Sequence, residues 1–236
     1  LVQQLLTNSN RVVSAGELHH FSACLTKQVQ QRVSAPTDVT GFVQAAAQIN
    51  SEQLGHNYCA SLRPYQQKAH YVIDKLPLNF LYLGLIRRAM PQAKLIHLTR
   101  APMAACFAMY KTSFEQAYPF SYCLNNLAGY YLAYRALLAH WQETLQDNLL
   151  LVNYETLVQA PEISLRRICD FLGLEYRPQM LDLTKNADAV ATASSSQIRQ
   201  SIHTRSMAQW QHYRPQLDSL YQALTRAGLS PEAWQI

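Results

Sequence analysis

The period of the apolar positions changes several times along this chain, and each change marks an element. Leu1, Val2, Leu5 and Leu6 share one helical face with no capping residue ahead of them, so Leu1 to about Thr7 reads as the tail of a helix. Arg11-Val-Val13 has the β-branched character of a short strand, and Ala15-Gly16-Glu17-Leu18 then turns the chain. From His19 to about Leu62, glutamine, alanine and serine dominate. That stretch predicts two or more helices with a break at Ala35-Pro36-Thr37-Asp38, where Thr37 or Asp38 can cap the next helix. Tyr71-Val-Ile73 is strand-like again and ends at Asp74-Lys75; Asn79 to Met90 reads as a helix that Pro91 stops.

Lys94 to Thr99 reads as a short buried strand that ends in Arg100. Pro102 suits the first turn of a helix, and Met103 to about Tyr110 is apolar throughout. A strand running through a tight turn into a helix places backbone N–H groups at a sheet edge, which suits an anion. Arg100 adds a planar cation that matches phosphate. Tyr122 to Leu145 reads as a long helix and Asn148 to Tyr154 as a strand. Pro161 to Leu172 reads as a helix with Gly173 as its C-cap. Ala187 to Ser201 is a loop rich in serine, threonine and alanine, and Met207 to Ala227 is a last helix interrupted at Pro215. Strands alternating with helices predict an α/β fold with a parallel sheet.

Charge narrows the partners. The net charge is +5, but Arg87-Arg88 and Arg166-Arg167 are the only adjacent basic pairs, so a small polyanion fits better than nucleic acid. Cys24, Cys59, Cys106, Cys123 and Cys169 form no metal or disulfide spacing. Cys106, Cys123 and Cys169 read as small core residues, and a reducing, cytoplasmic setting is expected. No segment is apolar and long enough to span a bilayer, and the eight histidines show no metal spacing. A chain that opens inside a helix is expected to have had a segment upstream of it.

Four segments carry a resemblance: Asp74-Lys75-Leu-Pro-Leu-Asn-Phe80, Ala93-Lys-Leu-Ile-His-Leu-Thr-Arg100-Ala-Pro102, Val152-Asn-Tyr154-Glu155-Thr-Leu157, and Ser194-Ser-Ser-Gln197-Ile-Arg199-Gln200. In order and spacing the chain resembles the sulfotransferases that use 3'-phosphoadenosine 5'-phosphosulfate. It is most similar to the bacterial branch that joins this domain to tetratricopeptide repeats and is related to the protein-tyrosine sulfotransferases. The resemblance implies a P-loop-like, doubly wound parallel sheet with helices on both faces and a helical insertion. It implies one catalytic domain over residues 1–236, with residues 21–63 on the acceptor side. The family's 5'-phosphosulfate loop would precede Leu1, and tetratricopeptide repeats would lie further upstream.

The resemblance also assigns roles. Glu17 matches the general base and Lys75 a cation near the sulfuryl group. Arg100 matches the 3'-phosphate ligand, and Tyr154 an aromatic at the nucleotide. Ser194, Gln197 and Arg199 fall in the loop that folds over the nucleotide. Apart from the resemblance, His19-His20 could line the acceptor pocket or simply start a helix, and Asp74 orients its turn or pairs locally. Ala108 stands where the family usually has a serine on the phosphate, a departure that either weakens the nucleotide site or shifts that contact to Lys111 or a backbone N–H. Gln209, just before Trp210, stands where the family often has a basic residue. Each position also has a plain structural reading: a salt bridge for Arg100, a helix-start glutamate for Glu17, a solvated lysine for Lys75, a core tyrosine for Tyr154, a linker for the serine-rich loop.

The expected reaction moves a sulfuryl group to a hydroxyl on a small molecule or peptide, peptidyl tyrosine included, without a metal. Two alternatives stand beside it. One is a non-catalytic binding module on the same fold. The other is a P-loop kinase, which needs a strand-end aspartate that the strand ending at Thr99 lacks.

Overall fold

Two pairs of parallel strands organise the protein. The computed structural model describes residues 1–32, 38–66, 69–183 and 202–234, and the chain divides into two compact units, Leu1–Ala93 and Lys94–Ile236. Parallel strands joined through helices make the fold α/β, as the alternation of patterns predicts.

In the first unit, α1 (Val2–Thr7) leads to β1 (Val12–Gly16), followed by α2 (His20–Arg32), α3 (Val39–Ala47), α4 (Ser51–Gln66), β2 (Tyr71–Asp74) and α5 (Leu83–Ala89). β1 and β2 pair from Val12 with Tyr71 to Gly16 with Asp74, and the register shifts between Ser14 and Gly16. Phe21, Leu25 and Val29, at spacing four, form the buried stripe of α2. Asp38 caps α3 by accepting the Gly41 N–H at 2.7 Å. The helix expected from Asn79 is shorter than its apolar pattern suggests. Pro77 opens a 3₁₀ turn over Pro77–Tyr82, and α5 begins only at Leu83. In that turn Asn79 N–H bonds Leu76 C=O three residues back, the tighter pitch of a 3₁₀ turn.

Gly55 lets α4 lie against α5, because a β-carbon there would run into the carbonyl of Ala89. Gly55→Ala gains helix propensity but must push backbone aside, and overpacking costs about 1–3 kcal/mol. The variant is therefore expected to melt several degrees lower than the parent in a thermal denaturation followed by circular dichroism.

The second unit runs β3 (Leu95–Thr99), α6 (Pro102–Tyr110), α7 (Leu124–Leu145), β4 (Leu149–Asn153), α8 (Tyr154–Gln159), α9 (Pro161–Leu172), α10 (Arg205–Ala208) and α11 (Asp218–Arg226). β3 and β4 pair in unbroken register from Leu95 with Leu149 to Thr99 with Asn153. Met103, Cys106 and Phe107 of α6, Leu127 and Tyr131 of α7, Leu220 and Leu224 of α11, and Trp210 form one buried cluster. α6 is apolar because most of it is packed; only Tyr110, its last residue, is exposed. Gly173 ends α9 at φ +68°, and the Leu174 N–H reaches back to the Cys169 carbonyl at 2.9 Å.

Three sequence expectations are corrected in this unit. Tyr154 opens a helix rather than closing the strand, because Asn153 caps α8 through the Thr156 N–H at 2.8 Å. The last expected helix divides into α10, a 3₁₀ stretch Gln209–Tyr213, and α11. Its break falls around Pro215, as the sequence predicts, because the proline ring crowds the preceding turn and supplies no N–H. Cys106 and Cys169 are buried as expected, but Cys123 is exposed, at the position just ahead of α7.

His97, on β3, bonds the Tyr134 hydroxyl through Nε2 at 2.8 Å, and burial pushes its imidazole down from 6.5 to about 4. The unfolded chain therefore binds the proton more readily than the folded one. Stability from this residue is complete above about pH 6.5 and is lost as pH falls toward 4, on the order of 3 kcal/mol at most. Thermal melts across that window are expected to show the loss, and His97→Gln is expected to flatten it.

Candidate functional site

The first group of site residues lies at the carboxyl ends of β1 and β2. In α/β proteins the carboxyl edge of parallel strands is where ligands bind. β1 ends in an irregularity: its register shifts after Ser14, and Gly16 takes φ +78°, a left-handed conformation that suits glycine. A bulge of this kind re-aims the side chain that follows it. That side chain is Glu17, whose carboxylate Oε1 accepts a hydrogen bond from Lys75 Nζ. The structure thus brings together the two residues expected to act on the reacting groups. The pair is open to solvent, with side-chain exposures of 44% for Lys75 and 36% for Glu17. An exposed ion pair contributes about 0–1 kcal/mol, so a substrate can open it at little cost. His20 bonds the Ser61 hydroxyl through Nδ1 at 3.2 Å and tilts against Tyr65.

The second group lies at the carboxyl ends of β3 and β4. Arg100 follows β3 and Tyr154 follows β4, and the guanidinium carbon sits 4.8 Å from the centre of the Tyr154 ring. One Arg100 N–H donates to the Ser206 carbonyl. The Ser206 hydroxyl meets the Tyr154 hydroxyl at 2.8 Å. Behind the site, Tyr131 O–H donates to the Arg100 carbonyl at 3.2 Å. Arg100 makes no salt bridge among the described residues, and its buried Nε has no hydrogen-bond partner. Burial pulls its guanidinium below the ordinary arginine range, opposed by nearby Tyr154 and Glu155. A desolvated cation with an unused donor is a site that an anion would satisfy.

The backbone part of the expected anion site is different. Pro102 has no N–H, the Ala101 N–H donates to Glu155 Oε1 at 3.0 Å, and the Met103 N–H donates to the Pro231 carbonyl at 2.9 Å. Glu155, steadied by Asn153 Nδ2 at 2.9 Å, is the anion that α6 already holds at its start. The anion-binding capacity here resides in the Arg100 side chain.

Ala108 and Gln209, the two departures from the family pattern, are linked by a single lysine. Lys111, one turn after Ala108, donates through Nζ to Gln209 Oε1 at 2.7 Å and lies over the Phe107 ring. A cation is therefore present in this region although position 209 carries none. Ser194, Gln197 and Arg199 lie outside the described residues. Ser206, Glu155 and Tyr131 were not assigned roles from the sequence. Ser206 acts on Arg100 through its carbonyl, which any residue supplies, so no side-chain signal marks it. Among the described residues no cluster of three or more histidine, cysteine or carboxylate side chains could hold a metal, and no helix is long and apolar enough to cross a membrane.

The chain is 25% identical over 230 residues to an uncharacterised protein of Aquifex aeolicus, covering 95% of this chain and 30% of that protein. It is 28% identical over 153 residues to a Caenorhabditis briggsae protein with the provisional name protein-tyrosine sulfotransferase, covering 58% of this chain and 51% of that protein. The chain thus spans about half or less of the length of these curated relatives. Among solved structures, the sulfotransferase domain of the Synechococcus PCC 7002 olefin synthase matches with a TM-score of 0.63 and 20% identity, over 98% of this chain and 90% of that one. Residues 1–178 of the 236 match the model of the sulfotransferase family, and the chain belongs to that family.

Proposed function

We propose that this protein transfers a sulfuryl group from 3'-phosphoadenosine 5'-phosphosulfate to a hydroxyl acceptor. The observation that carries the reading is Arg100, a desolvated guanidinium with an unpartnered Nε at the end of β3 in a sulfotransferase-family chain. Its free donors suit the nucleotide's 3'-phosphate, with the Tyr154 ring beneath and Lys111 as a second cation. Glu17 takes the acceptor's hydroxyl proton. The acceptor oxygen forms a bond to sulfur as the bond from sulfur to the 5'-phosphate oxygen breaks. Lys75, released from Glu17, stabilises the negative charge gathering on that leaving oxygen. The products are a sulfate ester and 3'-phosphoadenosine 5'-phosphate, and no step calls for a metal.

A phenolic acceptor, peptidyl tyrosine above all, is supported by the provisional name of the Caenorhabditis relative. Tetratricopeptide repeats as a neighbouring module and a cytoplasmic setting belong to the same proposal; five free cysteines support the latter. The test is transfer of radiolabelled sulfuryl from the donor to a tyrosine-containing acidic peptide and to a simple phenol. The expected result is labelled ester and released nucleotide in equal amounts. Donor that stays intact in the presence of either acceptor would favour the non-catalytic binding module.

A further inference from the structure

Asp74 is the last residue of β2, and the general-base reading of Glu17 makes no use of its carboxylate. Both of its oxygens are engaged. Oδ2 accepts the Tyr58 hydroxyl at 2.6 Å, and Oδ1 accepts the Leu18 backbone N–H at 3.4 Å. The neighbouring backbone makes a second tie, since the Lys75 N–H donates to the Gly16 carbonyl at 2.9 Å. Gly16 and Leu18 flank Glu17, and Asp74 and Lys75 are consecutive. The turn that carries the proposed base is therefore stitched to the strand end that carries the proposed cation, once on each side of Glu17.

We propose that Asp74, braced by Tyr58, is a positioning residue that fixes Glu17 opposite Lys75. This rests on the sulfotransferase reading of that pair. The bulge and the left-handed Gly16 would otherwise leave the turn loosely placed, because a glycine at a strand end restricts the chain least of all residues. Tyr58 is well suited to brace it. It sits in the buried middle of α4, its ring meets Phe21 edge-on at 5.4 Å, and its hydroxyl donates to Asp74. Burial, and next the bond to Asp74, push the phenol far above its ordinary range, so it stays a donor at every working pH. The two donors, Tyr58 O–H and Leu18 N–H, each take one carboxylate oxygen, which only a group with two acceptor oxygens can supply in full.

The test compares Asp74→Ala, Asp74→Asn and Tyr58→Phe, each alone and with Glu17→Gln. Misplacing a proton-transfer group by about 1 Å is expected to lower kcat on the order of 100-fold in Asp74→Ala. KM for the donor and affinity for the product nucleotide stay unchanged. Asp74→Asn keeps one acceptor for Leu18 and is expected to recover most of kcat, and Tyr58→Phe to fall between. In the Glu17→Gln background the Asp74 substitutions are expected to add no further loss, because Asp74 acts only through Glu17. Hydrogen exchange of the Leu18 amide is expected to quicken in Asp74→Ala whatever the activity. Losses that multiply with Glu17→Gln, or a parallel loss of nucleotide affinity, would overturn the proposal, as would an unaltered Leu18 amide. A parent protein that transfers no sulfuryl group would instead overturn the functional reading, leaving the exchange result to judge the stitch.

Discussion

Glu17→Gln is expected to lower turnover about 100- to 1,000-fold, the range that a positioned general base contributes. Glutamine keeps the size of the side chain and an oxygen for Lys75 Nζ, but it cannot take a proton. The ion pair that it replaces is exposed and worth at most about 1 kcal/mol, so the melting temperature is expected to stay within about 2–4 °C of the parent. Nucleotide affinity is expected to be unchanged, because nothing assigns Glu17 a contact with the nucleotide. Steady-state kinetics with a phenolic acceptor, together with calorimetric titration of 3'-phosphoadenosine 5'-phosphate, check both halves. Turnover kept with affinity lost would make Glu17 a binding group and leave the proton to another residue.

Arg100→Met separates binding from stability. Removing a charge-assisted, bidentate phosphate contact is expected to cost about 2–3 kcal/mol, or roughly 30- to 150-fold in nucleotide affinity. The folded protein without nucleotide is expected to be no less stable, and it can gain. Arg100 is desolvated, makes no salt bridge among the described residues and leaves Nε unsatisfied, so methionine removes an energetic burden while still covering the Tyr154 ring. The bond to the Ser206 carbonyl and the cation–π contact with Tyr154 are lost from the structure itself, against the desolvation that is relieved. A melt and a titration on the same variant test the two directions. A fall of several degrees with affinity intact would make Arg100 a clip that holds α10.

The elements that position the site were legible because their patterns are local. Short apolar runs around Val72, Ile96 and Leu150 gave the strands, and Gly16, Pro102 and Gly173 marked their turns and helix ends. Arg100 and Lys75 stood out as charges at strand ends, and the resemblance supplied their roles. What was hidden depends on partners distant in sequence. The Ser206 carbonyl lies 106 residues from Arg100, and Tyr58 lies 16 from Asp74. Glu155 stood inside a quoted segment, yet its hold on the Ala101 amide depends on β3 and β4 pairing in register. Cys123 reads as a core residue because the sequence around it is apolar, whereas it sits in extended backbone just ahead of α7 and is exposed. The helical pattern from Asn79 failed for a local reason, since Pro77 sets a tighter turn just ahead of it.

The measurement that bears most directly on the account is a calorimetric titration of the protein with 3'-phosphoadenosine 5'-phosphate and with adenosine 5'-phosphate, which differ only in the 3'-phosphate. Arg100 as the ligand of that phosphate predicts that the bisphosphate binds roughly 30-fold or more tightly than the monophosphate. Equal affinities, or no binding of either by the folded protein, would contradict it.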